Sequence, residues 1–149
     1  MAVAIALLLT LAAPAHAMPS GDVGDASLPG PCPLARENSE SVQKFSKRLI
    51  RCAVAHWSVR GGTKKAICIA RRESGLIPKA TSPDGKYLGL YQHAKRYWPG
   101  RYDAFTLPEW QLDRSALHGR TAAIVTIRMV HRGGRDGWDP WRGRGCAIS

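Results

Sequence analysis

Acidic side chains are scarce in this sequence: eleven Asp and Glu stand against 22 Lys and Arg, which leaves a formal charge of +11. Such a surplus favours polyanionic partners. Long apolar runs are lacking too. The one that exists, Ala2 to Ala13, falls short of the roughly 20 residues that a bilayer crossing takes, which argues against stable membrane insertion. No Cys-x-x-Cys pair occurs among the four cysteines, and neither a metal site nor a cofactor is expected. Internal repeats are absent. At 149 residues the chain has the length of one domain with a real core, expected as a monomer.

What is present begins with that apolar run. It is followed by Pro14-Ala15-His16-Ala17, and a short apolar stretch ending in Ala-x-Ala reads as a secretory signal peptide over residues 1–17, cut after Ala17. No Lys or Arg precedes the run, so the terminal amine supplies its positive charge. The expected location is therefore outside the cell or in the cell wall. There a basic protein meets anionic wall polymers, phospholipid surfaces and acidic glycans rather than nucleic acid. Cys32, Cys52, Cys68 and Cys146 form an even set, which in an exported chain suggests two disulfides with three connectivities open. One of these joins Cys52 to Cys68 on consecutive helices and leaves Cys32 for Cys146.

Residues 18–36 are rich in Gly, Pro, Ser and Asp and read as a loose N-terminal arm, tied down at Cys32. The folded domain is expected over 37–149. A first helix opens at Ser39 as its cap, with Glu37 and Glu40 as dipole partners and Val42, Phe45, Leu49 and Cys52 as its apolar stripe; Gly61-Gly62 ends it. A second, capped by Thr63, runs from Lys64 to about Glu73 and stops at Gly75 and Pro78. Ser82-Pro83-Asp84-Gly85 is a turn sequence, which predicts a small irregular hairpin between Ala80-Thr81 and Lys86-Tyr87-Leu88. An aromatic loop holds Tyr97, Trp98, Tyr102 and Phe105. A short helix opens at Pro108 and a longer one covers about Ser115 to His131. The class is mainly α with one small hairpin.

Among so few carboxylates Glu73 stands apart. It closes an apolar helix just before a turn-rich hairpin. The helix dipole disfavours an anion there and tends to raise a carboxyl pKa, which suits a group that donates a proton near neutral pH. A helix-end Glu is by itself more often a solvated surface residue. His93 is expected at the surface, with the groove as the rarer alternative. Trp98, Trp110, Trp138 and Trp141 are the aromatics able to stack on sugars, with core packing the commoner fate.

The residues around Glu73 add a context. Glu73-Ser74-Gly75 is followed by Pro78, Ala80, Ser82, Gly85 and Gly89-Leu90-Tyr91-Gln92. This resembles the soluble lytic transglycosylase (SLT) domain of the lysozyme-like superfamily, whose pattern runs Glu-Ser-Gly-Phe-x-Pro-x-Ala-x-Ser, a Gly-containing turn, then Gly-Leu-Met-Gln. The ending, Arg128-Met129-Val130 and Gly137-Trp138-Asp139-Pro140-Trp141, is similar to that of small secreted actinobacterial members. The resemblance covers about residues 47–141. It implies a lysozyme-like fold whose helices surround a glycan groove, with the hairpin as one wall. It implies Glu73 as the single catalytic acid/base, Ser82 at the substrate's N-acetyl group, and Gln92 lining the groove with Tyr91 in place of the motif's Met. The family's Asn on the last long helix has no counterpart: Ala122 stands there, beside Thr121.

The implied activity is cleavage of the β-1,4 bond between N-acetylmuramic acid and N-acetylglucosamine in peptidoglycan strands, leaving a 1,6-anhydro-muramyl product. Two-carboxylate glycosidases need a second acid, and neither Asp84 in the hairpin turn nor Asp103 in the aromatic loop has a setting like that of Glu73. A lysozyme-type hydrolase of the same fold and an inactive wall-binding module are the alternatives.

Overall fold

The computed structural model describes residues 28–133 and 138–146. The expected signal peptide, most of the arm and Gly137 lie outside them. Among the described residues five α-helices and one small sheet follow in the order α1 (Val42–His56), α2 (Gly62–Ser74), β1 (Tyr87–Leu88), β2 (His93–Ala94), α3 (Trp98–Phe105), α4 (Gly119–Gly133) and α5 (Asp139–Arg142). The chain is mainly helical, as its patterning predicts. Among the described residues no helix is long and apolar enough to cross a membrane.

The centre of the domain is α4. Every residue from Arg120 to Val130 is buried, so this helix is wrapped on all sides rather than along the single apolar face its spacing suggests. It packs against α1 and α3, and α1 packs against α2. Leu49, Ile50 and Ala53 of α1, Ala66, Ile69 and Ala70 of α2, and Val125 and Ile127 of α4 meet in one core. The polar residues drawn inside on α4 have partners, as burial requires. Arg120 donates to the carbonyls of Pro29 and Pro31 at 2.5 and 3.1 Å, which ties down the end of the arm. Arg128 donates to the carbonyl of Phe105 and lies over the ring of Trp110 at 4.7 Å.

Helix boundaries differ from the expected ones for identifiable reasons. Ser41, not Ser39, caps α1, its Oγ accepting from the Lys44 amide at 3.2 Å. Glu37 and Glu40 precede the helix instead of opening it, and both clamp Arg48, at 3.0 and 2.7 Å. Thr63 caps nothing: α2 already starts at Gly62, after Gly61 in the left-handed region. Its far end closes as expected, with Gly75 at φ 64° and the amides of Gly75 and Leu76 bonded back to Arg71 and Ala70. The stretch read as an aromatic loop contains a true helix, α3, because Pro99 falls in its first turn, where a missing N–H costs nothing. The Trp138–Trp141 tail likewise contains the short helix α5.

All four cysteines are bridged, Cys32 to Cys52 and Cys68 to Cys146. The pairing suggested by helix order, Cys52 with Cys68, is therefore corrected. Arg120 on α4 draws the Pro29–Pro31 segment in, and α4 packs on α1, so Cys32 arrives at Cys52. Non-reducing peptide mapping should recover a Cys32–Cys52 peptide pair and a Cys68–Cys146 pair, and no peptide joining Cys52 to Cys68.

The hairpin region is a small meander. Thr81 bridges to Leu88 across the Ser82–Gly85 turn, as expected, and Tyr87–Leu88 then pairs antiparallel with His93–Ala94. Residues 89–92 are the reversal between β1 and β2, with Gly89 at φ 82° and Gln92 at φ 47° and the Gln92 amide bonded to the Gly89 carbonyl at 3.1 Å.

Candidate active site

Glu73 lies in the last turn of α2, half-buried, where the helix end meets this meander. A cleft of about 450 Å³ opens in front of it, lined by Glu73, Tyr87, Gln92, Ala94, Arg96, Tyr97, Arg101, Trp138, Asp139 and Pro140. Burial pushes the Glu73 carboxyl above its usual range, against the smaller opposing pull of Arg72. Among the described residues no cation comes within ion-pair distance of it. Such a group holds its proton to higher pH than an exposed glutamate and has no ion-pair partner to fix it as an anion.

The residue after it explains how Glu73 is held. The Ser74 hydroxyl lies 2.7 Å from the carbonyl of Leu90 and 3.1 Å from that of Ala70, and it accepts from the Ile77 amide at 3.3 Å. It ties the end of α2 to the β1–β2 reversal, and so ties Glu73 to Gln92. Replacing Ser74 by Ala should cost roughly 1–2 kcal/mol, because the Leu90 carbonyl loses its donor. The loss should be visible as a lower denaturant midpoint.

The other expected site residues divide. Gln92 lines the cleft, and its amide nitrogen donates to the carbonyls of Gly89 and Ala80 at 2.9 and 3.2 Å, which fixes the side chain against the reversal. Ser82 is not among the lining residues. Its hydroxyl donates to Asp84 Oδ1 at 2.6 Å and accepts from the Tyr87 amide at 3.0 Å, so it builds the turn. Tyr91, expected at the groove, is fully buried, and its hydroxyl donates to the Ala66 carbonyl. It is core, because the reversal turns residues 90 and 91 inward. Ala122 and Thr121 are also fully buried on α4. Of the tryptophans, Trp98 and Trp141 are core, Trp110 packs with Trp57, and Trp138 lines the cleft.

Spacing did not single out several of the lining residues. Tyr87 and Tyr97 are about half exposed and offer flat apolar faces at the cleft. Arg96 and Arg101 lie against the Tyr97 ring, at 4.6 and 5.6 Å from its centre. A second hollow, of about 530 Å³, shares Tyr87, Ala94 and Arg96 with the first and adds Lys86 and Lys95. Sharing these three residues, the two hollows line up as a basic trough along the meander, in which Lys86 is paired with Asp84 at 3.1 Å. Asp139 brings a second carboxylate to the cleft; it is 91% exposed and paired with Arg142 at 2.9 Å.

His93 departs furthest from its expected surface position. It is fully buried, stacked on Trp138 at 5.4 Å, and bonded at both ring nitrogens. Arg101 donates to Nδ1 at 2.8 Å; Nε2 bonds to Thr126 Oγ1 at 2.7 Å, and Thr126 in turn donates to the Ala122 carbonyl at 2.6 Å. A guanidinium only donates and the threonine proton is already committed, so the proton of the imidazole sits on Nε2 and the ring is neutral. Burial, with Arg101 adding to it, pushes its pKa down to about 3.

Among the described residues one group of donors lies close enough to hold a metal ion, Cys32, Cys52 and His56. The two sulfurs are bonded to each other, which leaves His56 alone as a donor. No protein-family model matches the chain, and neither a curated protein nor a solved structure matches it.

Proposed function

We propose that the chain is a secreted peptidoglycan lytic transglycosylase of lysozyme-like fold, with Glu73 as its single acid/base. The observation that carries this reading is Glu73 itself: a half-buried carboxyl with a raised pKa and no ion-pair partner among the described residues, facing an open cleft beside Gln92 and two exposed tyrosines. In this mechanism the protonated Glu73 donates to the glycosidic oxygen between the two sugars. The acetamido carbonyl of the muramic acid stabilises the positive charge that develops on its ring, a substrate-assisted route known to replace the second carboxylate. Glu73, now an anion, then removes the proton of the same sugar's 6-hydroxyl, whose oxygen closes the 1,6-anhydro ring. The donated proton departs on the 4-hydroxyl of the leaving N-acetylglucosamine, the 6-hydroxyl proton restores Glu73, and no water is consumed. The tyrosine faces suit sugar rings, and the basic trough suits an anionic wall polymer.

Asp139 favours a second reading. A carboxylate in the same cleft is what a hydrolase needs to activate water. Its exposure and its pairing with Arg142 suit that role less well than burial has prepared Glu73 for its own. The third alternative is an inactive wall-binding module. Incubation with purified sacculi separates it from the enzymes: the proposal expects soluble fragments from the wild type. Binding to sacculi without release of fragments would refute catalysis.

A further inference from the structure

The cation Arg101 lines the cleft. Among the described residues no carboxylate lies within ion-pair distance of Arg101 or Arg96. Glu73 is not their counter-ion, since the cation whose field reaches it is Arg72. Arg101 is nevertheless held firmly: Nη1 donates to a buried imidazole, which is anchored through Thr126 to the backbone of α4. That anchor is neutral. A carboxylate in the place of His93 would fix the guanidinium equally well but would cancel its charge; a neutral acceptor fixes it and leaves its charge uncancelled at the cleft wall. Arg96, on the same tyrosine ring, doubles the local charge.

We infer that Arg101, with Arg96 beside it, is the subsite for a carboxylate carried on the muramyl side chain of the glycan, so that the cleft selects acid-bearing wall glycan over neutral amino-sugar polymer. The inference rests on the glycan-cleaving reading and specifies its substrate. Planar guanidinium matches carboxylate in a two-bond geometry, which an ammonium cannot reproduce. The carboxylate belongs either to the peptide stem or, where the stem has been removed, to the exposed lactyl group. His93 acts through Arg101, as a positioning residue.

The test is a binding titration on the Glu73→Gln protein, which keeps substrate intact. The ligands are glycan tetrasaccharides bearing stems, the same fragments stripped of stems, both kinds with their carboxylates converted to amides, and a chitin tetramer. The acid forms should bind roughly tenfold more tightly than their amides and than chitin. Whichever acid form shows the larger gap identifies the source. Adding Arg101→Gln should abolish the gap by weakening the acid forms roughly tenfold and the amides far less, with a melting temperature showing that the fold is intact. Thr126→Val, which takes the acceptor from the imidazole, should narrow the gap without changing amide binding. Equal binding of acid and amide, or a gap that survives Arg101→Gln, would overturn the subsite. Cleavage by the otherwise unaltered protein is measured on the same fragments. Cleavage with no gap sinks the subsite and keeps the enzyme. A gap without cleavage keeps the subsite and sinks the enzyme. Failure to bind any fragment sinks both.

Discussion

Glu73→Gln should lower the release of soluble fragments from purified peptidoglycan by roughly 10³-fold, since the variant keeps the shape of the side chain and loses the proton it donates. The same substitution should not destabilise the protein, and near neutral pH it should stabilise it. The sign follows from burial. Glu73 binds its proton more tightly in the folded chain than in the unfolded one. Wild-type stability therefore falls as pH rises from the ordinary glutamate value through the raised one. Glutamine has no such penalty. Thermal melts should show the two proteins alike at acid pH and the variant equal or higher at pH 7. A variant that lost activity because it melted earlier would place Glu73 in the scaffold. In the wild type, kcat/KM should fall as pH rises through the raised pKa, because the free enzyme must carry the proton.

The second large effect belongs to Gly89. It sits at φ 82°, and a Cβ built there would lie 2.0 Å from the carbonyl oxygen of Ala116. Two costs add in Gly89→Ala: a backbone conformation that alanine resists and a clash with backbone that cannot rotate away. Together they amount to roughly 2–5 kcal/mol, enough to drop the melting temperature by about 10 °C or more. Gly85 is the control. It also has positive φ, at 68°, but nothing lies within 4 Å of its Cβ position, so Gly85→Ala should cost only about 1 kcal/mol. Equal effects at the two positions would show that the close approach at Ala116 is not what Gly89 provides. Because Gly89 begins the reversal that carries Gln92 to the cleft, Gly89→Ala should also impair cleavage at temperatures where the protein is still folded.

The sequence discloses local features and conceals the tertiary ones. The end of α2 is legible because Gly75 and Pro78 are local stop signals, and these place Glu73 at a helix terminus just before the hairpin. Gln92 lines the same cleft as Glu73. Tyr91 does not, since a motif read as a groove wall is here a tight reversal, with positive φ at Gly89 and Gln92 and residues 90 and 91 turned into the core. Ser82 illustrates the same limit: its hydroxyl serves the turn because Asp84 and the Tyr87 amide are its nearest partners. The Arg101–His93–Thr126 chain is beyond sequence reading altogether. Its members come from α3, β2 and α4, and no period or spacing links them. The disulfides show why counting works and pairing does not. An even count of four cysteines suggests two bridges, but which ones form depends on where Arg120 draws the arm.

In the proposed mechanism one carboxyl both donates and removes a proton, and water does not attack. Mass spectrometry of the fragments released from sacculi tests it most directly. The expected muramyl ends are lighter by one water than the hydrolysed form, the mark of the 1,6-anhydro ring, with release by Glu73→Gln down roughly 10³-fold. Reducing muramyl ends carrying the added water would contradict it, and would assign the attack to a hydrolase in which Asp139 is the second carboxylate to examine.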